Sequence, residues 1–170
     1  MAAIVALLRA VNVGGTGKLP MADLKAMCVA EGYSKVQTYI ASGNVVFETK
    51  ASPAKVKAAL EARLKVYAGT SVGVIVRTAD EMTAVLKRNP FPKAAPNRTI
   101  AIFLDQPPKA DSLKDLKNLK DEELRLGARE IYVHYRSGVG VSKLVIPAAK
   151  LGTARNMNTV AKLAEMAADL

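Results

Sequence analysis

The hydrophobic positions in the first half of the chain follow two different spacings. Short continuous or alternating apolar runs are typical of strands, and apolar positions three or four residues apart are typical of amphipathic helices. Here the two patterns follow one another in the order βαββαβ, which is that of a ferredoxin-like unit. The predicted strands are 4–8, 36–40, 45–48 and 72–76, and the predicted helices contain 21–28 and 56–64.

Residues that cap helices support these assignments. Ser52 before Pro53 forms an N-cap that is followed by proline at the first helical position. Gly32 follows the first predicted helix at the position where a glycine commonly ends a helix. Thr78 and Glu81 have the spacing of a capping box, which predicts a third helix directly after the fourth strand.

A similar pattern follows a proline-rich segment at 90–97, which disfavours helix and strand and is therefore the expected linker. Beyond it we expect a second lobe in the order βαββα(β)α. The chain is thus predicted to be an α+β protein with a ferredoxin-like lobe at 1–89 and a similar lobe at 98–170. In the second lobe, strands are predicted at 99–104, 123–126, 130–135 and 153–155, and helices at 112–119, 142–151 and around 160–167.

Composition and charge narrow the functional class. The 170 residues carry 25 basic and 15 acidic side chains, a net charge of +10, which favours anionic partners such as a small molecule or nucleic acid. The single cysteine, Cys28, excludes a disulfide framework within the chain. No apolar run approaches the length of a membrane span, and no basic leader precedes the first strand, so we expect a cytoplasmic protein without membrane partners. The oligomeric state stays open.

The connection after the first strand is the strongest candidate for a site. Gly14 and Gly15 allow backbone conformations that turn amide groups toward a ligand. Arg9 and Lys18 add positive charge, and Asn12 adds a polar side chain. These residue types together suit an anion.

A tight turn formed by Ser42, Gly43 and Asn44 leaves the second strand. In a ferredoxin-like unit the first and second strands run in the same direction, since the crossover between them is right-handed. Their carboxyl ends therefore lie at one edge of the sheet. We expect the 12–18 connection and this turn to converge there, although glycines and serines at such positions also serve chain geometry alone.

Several better-known chemistries are excluded by particular residues. A phosphate-binding P-loop that ends in Gly17 and Lys18 needs a glycine where Asn12 stands and a hydroxyl where Leu19 stands, and no dinucleotide-binding glycine pattern occurs in this connection. An RNA-recognition sheet needs aromatic residues on its first and third strands, and only Phe47 is present. His134 is interpreted as an ordinary strand residue and Cys28 as a core residue. No metal-ligand spacing is present, and neither a metal nor a cofactor is expected.

Segments 9–15, 18–21, 38–47 and 153–163 resemble the signature motifs of domain-of-unknown-function family 1697. The resemblance implies a bacterial-type cytosolic protein with a two-lobed, ferredoxin-like fold, and it implies no particular activity. Two positions depart from the family pattern, since Ala10 stands where the family usually has glycine and Met157 where it commonly has tryptophan. The motif residues that match, and that the resemblance marks as site candidates, are Arg9, Asn12, Gly14, Gly15, Ser42, Gly43, Asn44, Arg155 and Asn156.

Arg155 and Asn156 stand at the start of the last predicted helix. Asn156 or Asn158 can cap that helix, and free amides beside a guanidinium can hold a carboxylate or phosphate. The alternative is a plain cap with an arginine paired to an acidic neighbour.

Three functions follow from these residues. The leading hypothesis is a protein that binds an anionic ligand, either a phosphorylated metabolite or a nucleic-acid backbone, at the 12–18 connection and the 42–44 turn. The second is an enzyme of unknown reaction that uses Arg9, Ser42, Asn44 and Arg155 to position or polarise a substrate. The third is a structural or interaction module whose motifs maintain the fold.

Overall fold

The computed structural model describes residues 1–12 and 18–170, and these group into two compact units. Unit 1 comprises Met1–Thr83 together with Lys162–Leu170, and unit 2 comprises Ala84–Ala161. The domain limits expected at 89 and 98 stay a prediction.

Unit 1 contains a four-stranded sheet in the order β2-β3-β1-β4, with every neighbouring pair antiparallel. This is the strand order of a ferredoxin-like unit, and the predicted βαββαβ sequence of elements is confirmed. The elements are β1 (Ala2–Leu8), α1 (Met21–Ala30), β2 (Ser34–Thr38), β3 (Asn44–Thr49), α2 (Pro53–Ala68) and β4 (Val74–Thr78).

The core of unit 1 lies where the sheet packs against α1 and α2. Ile4, Ala6 and Leu8 alternate along β1 and belong to this core, as the period of a strand requires. The Tyr33 and Phe47 rings stack with their centroids 4.3 Å apart. The intervening residues of β1 are also buried, which explains why the run is apolar throughout.

The predicted helix caps are present in the structure. The Lys55 amide donates to Ser52 Oγ over 3.2 Å at the start of α2. The Thr78 amide donates to Glu81 Oε1 over 2.9 Å, and the Glu81 amide donates to Thr78 Oγ1 over 3.2 Å, which completes the capping box. This box begins α3 (Ala79–Lys87), which directly follows β4 and extends from unit 1 into unit 2.

Unit 2 repeats the strand order of unit 1, as β6-β7-β5-β8, again with antiparallel neighbours. The two lobes are therefore similar, as predicted. The strands are β5 (Thr99–Phe103), β6 (Glu123–Leu126), β7 (Glu130–His134) and β8 (Thr153–Asn156), and α4 (Met157–Ala168) follows β8.

Two helices predicted for the second lobe, at 112–119 and 142–151, are wrong. The first segment forms turns, and its Lys117 pairs with Val145 of the second segment in an isolated antiparallel bridge. In the second segment Pro147 disfavours a helical conformation at Ile146, and the segment forms only the short 3-10 turn Pro147–Ala149, while another, Val139–Val141, precedes it. Apolar side chains from both segments still cover the sheet of unit 2, namely Leu113, Leu116, Leu144, Ile146 and Ala149.

Cys28 lies on the buried face of α1 and is fully inaccessible, which confirms its interpretation as a core residue. Burial, with a smaller contribution from the negative charge of Glu31, raises the pKa of its thiol to about 12. At pH 8 the thiol is then almost entirely protonated, and the thiolate is the reactive form.

We therefore expect a thiol reagent such as dithionitrobenzoate to modify Cys28 only as fast as the native protein opens. The same reagent should react completely within the mixing time in guanidinium chloride. Modification of the native protein at the rate of an exposed thiol would contradict the burial of this residue.

Candidate functional site

Asn12 joins the connection after β1 to the β2–β3 turn. Its Nδ2 donates to the carbonyl oxygens of Leu19 and Ala41, each over 2.8 Å, and its Oδ1 accepts the Leu19 amide over 2.7 Å. These bonds bring Asn12, at the described start of the connection, to the β2–β3 turn at one edge of the sheet. Gly14 and Gly15, the remaining candidates in this connection, lie outside the described residues.

The turn itself is held by buried groups. Asn44 is fully buried, and its Nδ2 donates to the Tyr39 carbonyl and to Ser42 Oγ, both over 2.9 Å. The Leu8 amide donates to the Gly43 carbonyl over 2.8 Å. Ser42, Gly43 and Asn44 therefore fix the turn against the end of β1, and their part in ligand binding stays a prediction.

Backbone strain is concentrated at this same edge. Three residues other than glycine have left-handed conformations there: Ala10 with φ of 53°, Asn12 with φ of 55° and Ile40 with φ of 50°. For a β-branched residue such as Ile40 this conformation is rare, and each instance costs about 1–2 kcal/mol. Strain of this kind collects at ligand-binding and catalytic sites. A glycine at position 10, the residue usual in the resembling family, would adopt this φ without the cost.

A cavity of about 550 Å³ opens beside the strained edge and lies within unit 1. Its volume falls in the range of small-molecule sites. Arg9 and Lys18 supply its positive charge, so two of the predicted site residues line it. Its apolar wall contains Val11, Leu19, Leu64, Ala68 and Val72.

Arg9 is positioned by the start of β4. Its amide donates to the Gly73 carbonyl over 2.9 Å, and a Cβ at Gly73 would lie 3.6 Å from both Cβ and Cδ of Arg9. The stem of the arginine therefore packs along the backbone of Gly73. The neighbouring residue, Val74, is in turn held by two side chains of α2. Lys57 Nζ donates to the Val74 carbonyl over 2.6 Å, and the Val74 amide donates to Glu61 Oε2 over 3.1 Å.

The end of α2 and the residues that follow it form another part of the cavity lining. Tyr67 lines the cavity, and its hydroxyl donates to Asp23 Oδ2 in the first turn of α1 over 2.7 Å. This hydrogen bond raises the pKa of Tyr67 above its ordinary value. Tyr67 and Ala68 belong to the last turn of α2, the end of the helix that carries its partial negative charge, and in this turn the Lys65 carbonyl accepts the Gly69 amide over 2.9 Å.

Sequence reasoning missed the wall formed by Tyr67 and by Thr70, Ser71 and Gly73. A signal for this wall was present in the topology. β4 is antiparallel to β1, so the segment that enters β4 must lie at the edge where β1 ends.

Arg155 and Asn156 lie in unit 2 and do not line the cavity. Arg155 is buried, and it donates to Thr153 Oγ1 over 2.7 Å and to the Ala154 carbonyl over 2.9 Å. Burial lowers the pKa of Arg155 to about 10, so it remains charged at neutral pH. Asn156 Oδ1 accepts the Thr159 amide over 2.9 Å and caps α4, as predicted.

His134, interpreted above as an ordinary strand residue, lies beside an acidic side chain. His134 Nδ1 lies 3.4 Å from Glu123 Oε1, which also accepts from Arg136 Nη2 over 2.6 Å.

Within the part of the chain that the structure describes, no three His, Cys, Asp or Glu residues are grouped so that they could hold a metal ion. In the same part, no helix combines the length and hydropathy needed to cross a membrane.

Comparison with known proteins supports the resemblance found in the sequence. A sequence profile of the family described as "Protein of unknown function (DUF1697)" matches residues 1–132, so the motif at 153–163 lies beyond the matched range. The solved structure of a conserved bacterial protein from Streptococcus pneumoniae is 26% identical, has a TM-score of 0.79, and is aligned over 98% of this chain and 98% of its own. No curated protein matches the chain significantly.

Proposed function

Because the chain belongs to the family of unknown function DUF1697, we propose its function from the cavity of unit 1. We propose that the protein binds a small anionic molecule there, with Arg9 and Lys18 as the groups that contact the negative charge. The observation that carries this proposal is the position of both cations on the lining of one cavity of about 550 Å³. A guanidinium and an ammonium in a concave, partly apolar site are suited to a phosphate or carboxylate group.

The shape of the site favours a metabolite over a nucleic-acid backbone. A backbone is an extended chain of charges, and proteins that follow it use a groove or stripe of cations. Here the cations sit beside an apolar wall in which Leu64 and Val72 take part. Burial of a ligand's apolar surface against such a wall stabilises the complex, and a phosphodiester backbone has no such apolar surface.

The other functions expected from the sequence have weaker support. Of the four residues that the enzyme hypothesis uses, only Arg9 lines the cavity. The amide of Asn44 is buried in the turn, and Arg155 lies in unit 2. Of the remaining members of the predicted two-segment site, Asn12 supports the cavity, because its side chain makes two hydrogen bonds to Leu19, the neighbour of Lys18.

The proposal is tested with the double variant Arg9→Ala/Lys18→Ala. We expect its affinity for phosphorylated metabolites to fall by about 100-fold, since two charge-assisted contacts of about 1.5 kcal/mol each are removed. Isothermal titration calorimetry with a panel of sugar and nucleoside phosphates measures this loss. The dependence of affinity on salt should also weaken.

The matched control is Lys25→Ala/Lys50→Ala, which removes the same charge from two exposed residues that do not line the cavity. It should leave the affinity within about twofold of the unmodified protein, because exposed charges at a distance are screened. Equal losses in both double variants would show that net charge and not this cavity binds anions. If heparin alone binds, the nucleic-acid alternative takes the place of the proposal.

A further inference from the structure

The lining of the cavity has three chemically different parts, and each restricts the ligand. Arg9 and Lys18 provide cations, and the Val11, Leu64 and Val72 side chains provide an apolar surface. The third part is the acceptor-rich end of α2, where Tyr67 is held by Asp23. An inorganic anion would use only the first of these parts.

The acceptor-rich part disfavours a second negative group. The end of α2 carries the partial negative charge of the helix dipole, and the Tyr67 hydroxyl there donates to the carboxylate of Asp23. A ligand group that donates hydrogen bonds is therefore favoured at this part. Thr70 and Ser71, which also line the cavity, have hydroxyl groups that can accept them.

The apolar part suits a flat body better than a sugar alone. Tyr67 is 47% exposed, and this aromatic residue is part of the lining. Aromatic rings and apolar side chains stack on or pack against planar heterocycles, and they offer little to the hydroxyl groups of a sugar.

Resting on the proposed function, we infer that the ligand is a nucleoside 5′-monophosphate whose base carries an amino group. The phosphate binds Arg9 and Lys18, and the base packs against the apolar wall and Tyr67. The amino group of the base donates to the carbonyl and hydroxyl oxygens near the end of α2. Adenosine monophosphate and cytidine monophosphate have all three features.

The inference is tested by calorimetry with four related molecules and the full chain. Adenosine 5′-monophosphate should bind at least about tenfold more tightly than ribose 5-phosphate, which lacks the base. It should bind about fivefold more tightly than purine riboside 5′-monophosphate, which lacks only the amino group. Adenosine, which lacks the phosphate, should bind at least about tenfold more weakly than the nucleotide.

Two variants of one residue separate the ring from its hydroxyl. Tyr67→Phe keeps the ring, and we expect it to keep the preference for the nucleotide over ribose 5-phosphate. Tyr67→Ala should reduce that preference by about tenfold, because base–aromatic packing is lost. Circular dichroism of both variants establishes that the fold is retained.

The outcomes distinguish this inference from the proposed function. Equal affinities for adenosine 5′-monophosphate and ribose 5-phosphate overturn the inference and leave anion binding at the cavity in place. Equal affinities for the two purine nucleotides overturn the assignment of the amino group. Absence of binding by every phosphate overturns both. A preference for the nucleotide that Tyr67→Ala removes and Tyr67→Phe keeps supports the inference.

Discussion

Gly43→Ala is expected to lower the free energy of unfolding by about 3 kcal/mol or more, from two separate causes. A Cβ at position 43 would lie 2.7 Å from Val11 Cγ2 and 2.8 Å from Leu8 Cβ, distances at which atoms must move apart. The backbone cannot move easily, because the Leu8 amide donates to the Gly43 carbonyl over 2.8 Å. The φ of 90° adds conformational strain for any residue other than glycine.

Urea unfolding followed by circular dichroism measures this loss, and Gly32→Ala is its matched control. Gly32 has a similar φ of 85°, but a Cβ there would have no atom within 4 Å. It should therefore lose only the conformational part, about 1 kcal/mol. If the two variants were equally stable, the close packing of the turn against β1 would make no separate contribution.

Asn44→Asp is expected to cost about 3 kcal/mol at neutral pH. The substitution keeps the shape of the side chain and replaces the Nδ2 donor by a charged acceptor. Asn44 is fully buried, and its Nδ2 faces the Tyr39 carbonyl oxygen and Ser42 Oγ. A carboxylate at this position would repel the carbonyl oxygen and lose its own hydration.

The cost should depend on pH in a definite direction. Burial would raise the pKa of an aspartate at position 44 above its value in the unfolded chain, because burial disfavours the charged form. The destabilisation is therefore full above that raised pKa and decreases as the pH falls through it, because the protonated acid again donates a hydrogen bond. Urea unfolding at a series of pH values, always relative to the unmodified protein, measures this change.

Asn12→Asp is the control for this effect. Asn12 also uses its Nδ2 to bridge two carbonyl oxygens, but it is exposed, so solvent can hydrate a carboxylate there. We expect a loss of about 1 kcal/mol. Equal losses at positions 12 and 44 would contradict the assignment of Asn44 as the buried anchor of the turn.

The sequence predicted unit 1 well because its local signals and its long-range pattern agree. The apolar run of β1 and the caps at Ser52 and Thr78 all favour the same βαββαβ order. In unit 2 the local signals and the long-range pattern disagree. Leu113 and Leu116 have helical spacing, but they cover the sheet from a segment of turns, and the pairing of Lys117 with Val145 replaces the expected helices. Periodicity alone cannot distinguish a helix from an irregular segment that buries the same side chains.

The site could be predicted in part for a similar reason. Topology placed the 12–18 connection beside the 42–44 turn, and Asn12 joins them. The cavity, however, also needs Tyr67 and Thr70, whose residue types do not stand out at the end of an amphipathic helix. Their importance comes from the antiparallel pairing of β4 with β1, which is a long-range property. The side chain that faces a cavity is decided by packing, and the sequence does not specify it locally.

The division of α4 between the two units has a consequence for the order in which the protein is completed during synthesis. Residues 162–170 belong to unit 1, and Leu163, Ala164 and Ala167 in this stretch are buried. On the ribosome, N-terminal regions usually fold as they emerge. Here the sheet of unit 1 emerges early, but the unit lacks this last piece until residues 162–170 have left the exit tunnel. Nascent chains stalled before residue 162 should therefore hold an incomplete unit 1.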